Sequence, residues 1–183
     1  MTALITPTLC PNISGFVAIT SADKVVFDIS GNYQKQTNRN RMDIYGANGL
    51  LQLNIPVIYS QKQRQLYKDV KIYNSEKWQA NHWKSFESAY KTSPFFEFYE
   101  DELRPLYNKP FNFILDFNFE AFDIICDCLQ LDLDTEKTTI FEKNPTEKTD
   151  FRALADRKSK GFILEPYTQV FDDKKGFIPN LSI

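Results

Sequence analysis

The chain has 183 residues, 42% hydrophobic and 25% charged, with 16 Phe and 9 Tyr but only 6 Gly. A formal net charge of −2, a pI of about 5.5 and the lack of a long basic block argue against the counterion-displacing surface that nonspecific nucleic-acid binding needs. No apolar run is long enough to insert into and span a bilayer, and so few glycines leave little for a glycine-rich phosphate cradle.

Ala3-Leu4-Ile5 reads as a first strand that stops at Pro7, with Pro7 and Pro11 punctuating the loop behind it. Asn12 is a cap for a helix over residues 13–21, where Ile13, Phe16, Val17 and Thr20 fall at helical spacing. Residues 24–29 are rich in β-formers and read as a second strand, completing a parallel βαβ unit. The stretch from Gly31 to Arg41 is polar and reads as an irregular loop. Met42 to Tyr45 and Leu50 to Val57 form a hairpin about an Asn48-Gly49 turn. A polar, basic loop over 60–68 leads to a strand over 70–73. The pattern then turns helical. One helix is capped by Asn74 or Ser75 and carries Trp78, His82, Phe86 and Ala89 on one face. A second follows Ser93-Pro94, with Phe96, Tyr99, Leu103 and Tyr107 in register. A third is opened by Pro110, with a stripe from Phe111 through Leu115, Phe119, Phe122 and Cys126 to Leu129. Residues 137–160 are polar and expected to be exposed, 162–164 read as a last strand, and 176–179 as a turn. The expected architecture is α/β: a Rossmann-like N-terminal βαβ half with a β-hairpin insertion, followed by a mainly helical half, all in one domain over 1–183.

Three cysteines (Cys10, Cys126 and Cys128) make an odd count that does not read as a disulfide framework, and the segment up to Cys10 lacks a positive n-region. Both features fit a reducing cytoplasm. His82 is the only histidine and no Cys/His cluster accompanies it, so no metal site is expected and no cofactor is indicated. The polar loop is the leading candidate for function. Arg39 and Arg41 flank Asn40, behind Gln34, Lys35 and Gln36, and paired guanidiniums match the oxygens of carboxylate or phosphate. Against this stands an ordinary solvated loop. Asp28 closes the second strand, where open parallel sheets bind ligands; it either orients a sugar hydroxyl or metal, or is a solvated strand end or the partner of a nearby arginine. His82 is either a hydrogen-bonded core residue or, as the one side chain that titrates near neutrality, the general base. Cys10 and the Cys126/Cys128 pair read as packing residues. Glu100, Asp101 and Glu102 fan around a helix and read as solvated.

Several segments together resemble one family. They are Ile5-Thr6-Pro7 through Pro11-Asn12-Ile13-Ser14-Gly15-Phe16, then Ala22-Asp23 before a strand ending in Asp28, then Asn38-Arg39-Asn40-Arg41 and Leu53-Asn54-Ile55-Pro56-Val57. Trp78 with His82, Tyr90-Lys91, Pro94-Phe95-Phe96, Tyr167 with Gln169, and 177–183 complete the series. In this order they are similar to the WbqC-like family, in the short form typical of Bacteroidetes. The resemblance implies a link to O-antigen and related surface-polysaccharide gene clusters. It also adds Asn38, Tyr167 and Gln169 to the candidate substrate-binding set. Thr6-Pro7-Thr8 replaces the family's Gln-Pro-Tyr, Cys10 replaces an aromatic, and a closing Asp-Leu-Leu-Phe helix is not among these 183 residues. The N-terminal pattern also resembles nucleotidyltransferase-type folds, but the turn carries no histidine, so that chemistry is not supported. Two readings follow. One is a transferase-like protein binding an anionic or sugar-nucleotide-like metabolite, with Arg39 and Arg41 holding the anion and His82 and Asp28 as catalytic candidates. The other is a non-catalytic interaction protein of a glycan-assembly system.

Overall fold

The computed structural model describes residues 1–60 and 64–182. Part of the expected 60–68 loop, residues 61–63, and the last residue of the closing motif, Ile183, lie outside the described residues.

The chain opens with the expected βαβ unit: β1 (Thr2–Ile5), α1 (Ile13–Thr20) and β2 (Lys24–Phe27). β1 and β2 pair in parallel, Ala3 opposite Val25 and Ile5 opposite Phe27. Asn12 caps α1, its side-chain oxygen accepting from the Gly15 amide at 2.9 Å. β3 (Arg41–Gly46) and β4 (Gly49–Asn54) form the hairpin, closed by Ala47-Asn48, one residue earlier than the sequence indicates. Gly49 takes φ +106°, a conformation that glycine reaches without a Cβ penalty. β5 (Val57–Ile58) and β6 (Lys71–Ile72) make a second, short antiparallel pair.

Three helices follow: α2 (Trp78–Tyr90), α3 (Phe96–Asn108) and α4 (Ile114–Cys128). Neither Asn74 nor Ser75 caps α2. The Asn74 amide donates instead to the Phe111 carbonyl at 2.8 Å, and the cap position falls on Lys77. Pro110 precedes α4 rather than opening it, and Leu129 lies exposed beyond its end. α4 packs on the βαβ unit through Phe122, whose ring stacks on Phe16 and meets Phe27 edge-on at 5.2 Å. On the other side of α4, Phe117 meets Trp78, Tyr107 and Phe111 edge-on in an aromatic cluster. Rings of this size are worth about 2–3 kcal/mol each when buried, which accounts for a core built on Phe, Tyr and Trp.

The polar stretch after α4 is not wholly without structure. It supplies β7 (Thr135–Lys137) and β8 (Thr149–Asp150), which join the first sheet in the order β7-β2-β1-β8, every pairing parallel. Both are edge strands with exposed polar side chains, so they lack the apolar pattern that marks a strand in sequence. Residues 162–164 form no strand. The segment beyond them carries α5 (Asp172–Lys175) and then returns to the start of the chain. The Leu181 carbonyl accepts from the Ile13 amide at 3.1 Å, and the Ser182 amide donates to Asp43 at 2.8 Å. No helix among the described residues is long and apolar enough to cross a membrane.

Candidate functional site

In a parallel sheet every strand ends on the same edge. Here Thr6 follows β1, Asp28 follows β2, Thr138 follows β7 and Arg152 lies two residues beyond β8. A cavity of about 310 Å³ opens over this edge, lined by these β1, β2 and β8 residues together with Gly31, Asn32, Gln34, Arg39, Tyr67, Phe141, Ala153 and Asp156. The strand order turns back at β1, since β2 and β7 lie to one side of it and β8 to the other. That reversal is where open α/β sheets place their ligands.

Arg39 is the unusual group. Its side chain is only 7% exposed, and its Nη1 donates to Thr37 Oγ1 at 3.2 Å and Gln34 Oε1 at 3.4 Å. Its buried Nε has no partner, and no carboxylate lies within ion-pair distance among the described residues. Burial draws its pKa down, partly offset by Tyr67, Tyr33, Asp28 and Asp156. The guanidinium sits 5.6 Å from the centre of the Tyr67 ring. Its backbone is clamped from below. Asn118 Nδ2 donates to the Arg39 carbonyl at 2.8 Å and to the Tyr67 hydroxyl at 2.7 Å. That hydroxyl in turn faces the carbonyls of Pro7 (3.0 Å) and Arg39 (3.2 Å) with its one proton.

The second cation is fully engaged. Arg152 donates through Nε and Nη2 to Asp150 (2.9 and 2.6 Å) and through Nη1 to Asp28 Oδ2 (3.0 Å). It also reaches the carbonyls of Glu142 (2.7 Å) and Lys143 (3.4 Å). The hydrogen bond to Asp150 is the largest cause of its raised pKa. Asp28 receives Ser30 N and Thr138 Oγ1 on its other oxygen, at 3.2 and 3.4 Å. Asp28 is thus paired with an arginine, one of the roles open to it from sequence, and being 5% exposed it is not a solvated strand end.

Of the residues singled out by sequence, the cavity gathers Asp28, Gln34 and Arg39. Asn38 holds the loop by its backbone, its amide donating to Ala155 and its carbonyl accepting from Leu9. Asn40 donates to Asn54 Oδ1 and the Ile55 carbonyl, both at 2.8 Å, and so ties the loop to the hairpin. Arg41 begins β3 outside the cavity lining, with a buried Nε that has no partner among the described residues. Tyr167 is exposed and packs edge-on against Phe177, while Gln169 bonds both the amide and carbonyl of Ile178. His82 lies away from the cavity lining, 3% exposed, edge-on to Trp78 and with Nε2 3.1 Å from the Asn54 carbonyl. Burial pulls its pKa down to about 4, only partly offset by that carbonyl. Sequence reasoning missed Thr6, Tyr67, Phe141, Arg152 and Asp156. The last three fall in the stretch read as exposed, and nothing local marks Arg152 as a partner of Asp28, 124 positions away.

The amides at the start of α1, the usual phosphate cradle of a βα turn, are already taken. Ile13 donates to Leu181, Ser14 to Asn180 Oδ1 at 2.8 Å, and Gly15 to Asn12. That leaves Arg39 as the cavity-lining cation without a carboxylate partner among the described residues. Among the described residues no group of three or more His, Cys, Asp or Glu side chains is arranged to hold a metal ion.

A model of the WbqC-like protein family matches residues 6–162. The chain belongs to the WbqC-like family. No curated protein and no solved structure matches it. The WbqC-like match takes in every residue that lines the cavity, from Thr6 to Asp156, and stops short of Tyr167 and Gln169.

Proposed function

We propose that this WbqC-like protein binds an anionic or sugar-nucleotide-like metabolite in the cavity over the parallel sheet and acts, transferase-like, in surface-polysaccharide assembly such as that of O-antigen or capsule. The observation that carries the binding half is Arg39: a buried guanidinium at a cavity wall, held in place by its backbone and lacking a carboxylate partner among the described residues. A buried charge is costly unless an opposite charge meets it, and a ligand anion would supply that charge. The polysaccharide setting rests on the resemblance alone.

A second reading, a binding protein without chemistry, has its own support. Both oxygens of Asp28 are occupied and His82 lies elsewhere, so the cavity lacks a free acid–base pair. Phe95, Phe98 and Tyr99 also stand exposed around the start of α3.

Thermal shifts with sugar nucleotides and nucleoside phosphates test the binding. A ligand at a hundred times its Kd stabilises the native state by about 2.7 kcal/mol, a rise of roughly 5–10 °C for a chain of this length. The expected result is a concentration-dependent rise in wild type that is lost in Arg39→Ala. Flat curves for both proteins would overturn the proposal. Turnover of a ligand that binds would separate the transferase from the binding protein.

A further inference from the structure

We propose that Phe141 is the platform on which this cavity seats the ring of a phosphorylated sugar, so that Phe141 sets ligand specificity while Arg39 holds the charge. The inference rests on the anion-binding reading above and adds the class of the remaining part of the ligand.

Phe141 lines the cavity with 54% of its surface open. Its openness does not come from a loose loop. Arg152 lies 5.2 Å from the ring centre and donates to the carbonyls of the next two residues, Glu142 and Lys143. The same arginine is anchored to Asp28 and Asp150 at the ends of β2 and β8. Gly31 brings the opposite loop close enough that a Cβ there would touch the ring at 3.5 Å. The ring is thus fixed from two sides and free on the rest, a preorganised apolar surface beside a buried cation.

A pyranose matches that combination. Its C–H face covers an aromatic ring, while its hydroxyls need polar side chains nearby, and Thr6, Asn32 and Gln34 line the same cavity. The cavity, about 310 Å³, is at the small end of ligand pockets, which run from about 300 to 1,000 Å³. It suits a monosaccharide phosphate, or that end of a larger donor, better than a whole nucleotide.

Calorimetry with inorganic phosphate, glucose 1-phosphate and uridine 5′-monophosphate on wild type, Phe141→Ala, Phe141→Trp and Arg39→Ala tests this, with melting curves to confirm folding. Phe141→Ala is expected to weaken glucose 1-phosphate at least fivefold, to leave inorganic phosphate within twofold, and to be rescued by Phe141→Trp. Arg39→Ala is expected to abolish both. If Phe141→Ala leaves glucose 1-phosphate unchanged, or weakens phosphate equally, the platform is refuted while the anion site stands. If the nucleotide binds through Phe141 and the sugar phosphate does not, the ring is a base and this assignment fails. If no probe binds wild type, both readings fall together.

Discussion

The imidazole of His82 is held neutral by its surroundings, with consequences for stability rather than for proton transfer at the cavity. Its pKa is about 4 in the folded protein against an ordinary 6.5, chiefly because burial penalises the charged form. Between these values the unfolded chain takes up a proton that the native state does not. Stability therefore falls as pH drops from about 6.5 to about 4, by about 3 kcal/mol in all, and this contribution is constant below that window. Urea unfolding of wild type and His82→Gln at pH 7 and pH 4.5 checks this. Wild type is expected to lose about 2–3 kcal/mol more than the variant, and parallel losses would show that the imidazole is not responsible. Arg39 makes the opposite case. Its buried guanidinium lacks an anionic partner among the described residues, so Arg39→Met removes a desolvation penalty while keeping most of the volume. The variant is expected to unfold at a temperature equal to or a few degrees above wild type without ligand, and to show no ligand-induced rise. A clear loss of stability in Arg39→Met would show that the guanidinium works for the fold.

At the scale of elements, Arg152 ties the end of β8 and the preceding loop that carries Phe141 to the distant end of β2. Its carboxylate partner Asp28 is almost fully buried, so Arg152→Ala strands a charge and is expected to cost on the order of 3 kcal/mol. Hydrogen exchange should then quicken first in residues 138–148; uniform exchange across the sheet would mean the loop is held by other contacts. This element also shows what sequence conveys. Helices with apolar stripes, the βαβ start and the hairpin follow local rules of period and turn chemistry, and Asn12, Trp78 and Phe122 could be placed from spacing alone. β7 and β8 could not, because Thr135–Lys137 and Thr149–Asp150 are short polar edge strands whose only mark is a backbone partner. The candidate site divides in the same way. Arg39 and Asp28 stand out by residue type and position. Arg152 and Phe141 reach the cavity through Asp28 and Gly31, more than a hundred residues away, and His82 sits on an apolar helical face whose burial outweighs its chemistry.

Across the whole molecule, the last twenty or so described residues act as a strap from β8 back to α1. Gly161 passes so close to Ser14 that a Cβ would lie 2.5 Å from its hydroxyl oxygen, and its φ is +60°. Gly161→Ala is therefore expected to cost at least 1–2 kcal/mol, measured by denaturant midpoint, from strain and steric conflict together. Asn180→Ala, which deprives the Ser14 amide of its acceptor, is expected to cost about 1 kcal/mol. If both variants matched wild type, the strap would be a passenger. The parallel pairing of β1 with β8 reaches further. β1 is synthesised more than a hundred residues before β8, and its outer edge stays open until residues 149–150 have followed. During that interval Ala3, Leu4 and Ile5 offer an apolar strand edge to any neighbouring nascent chain, and closing the sheet must await a long-range encounter rather than a local one. The fold thus ties completion of the cavity wall to translation through β8: a ribosome stalled before that point displays an adhesive strand and an unfinished cavity.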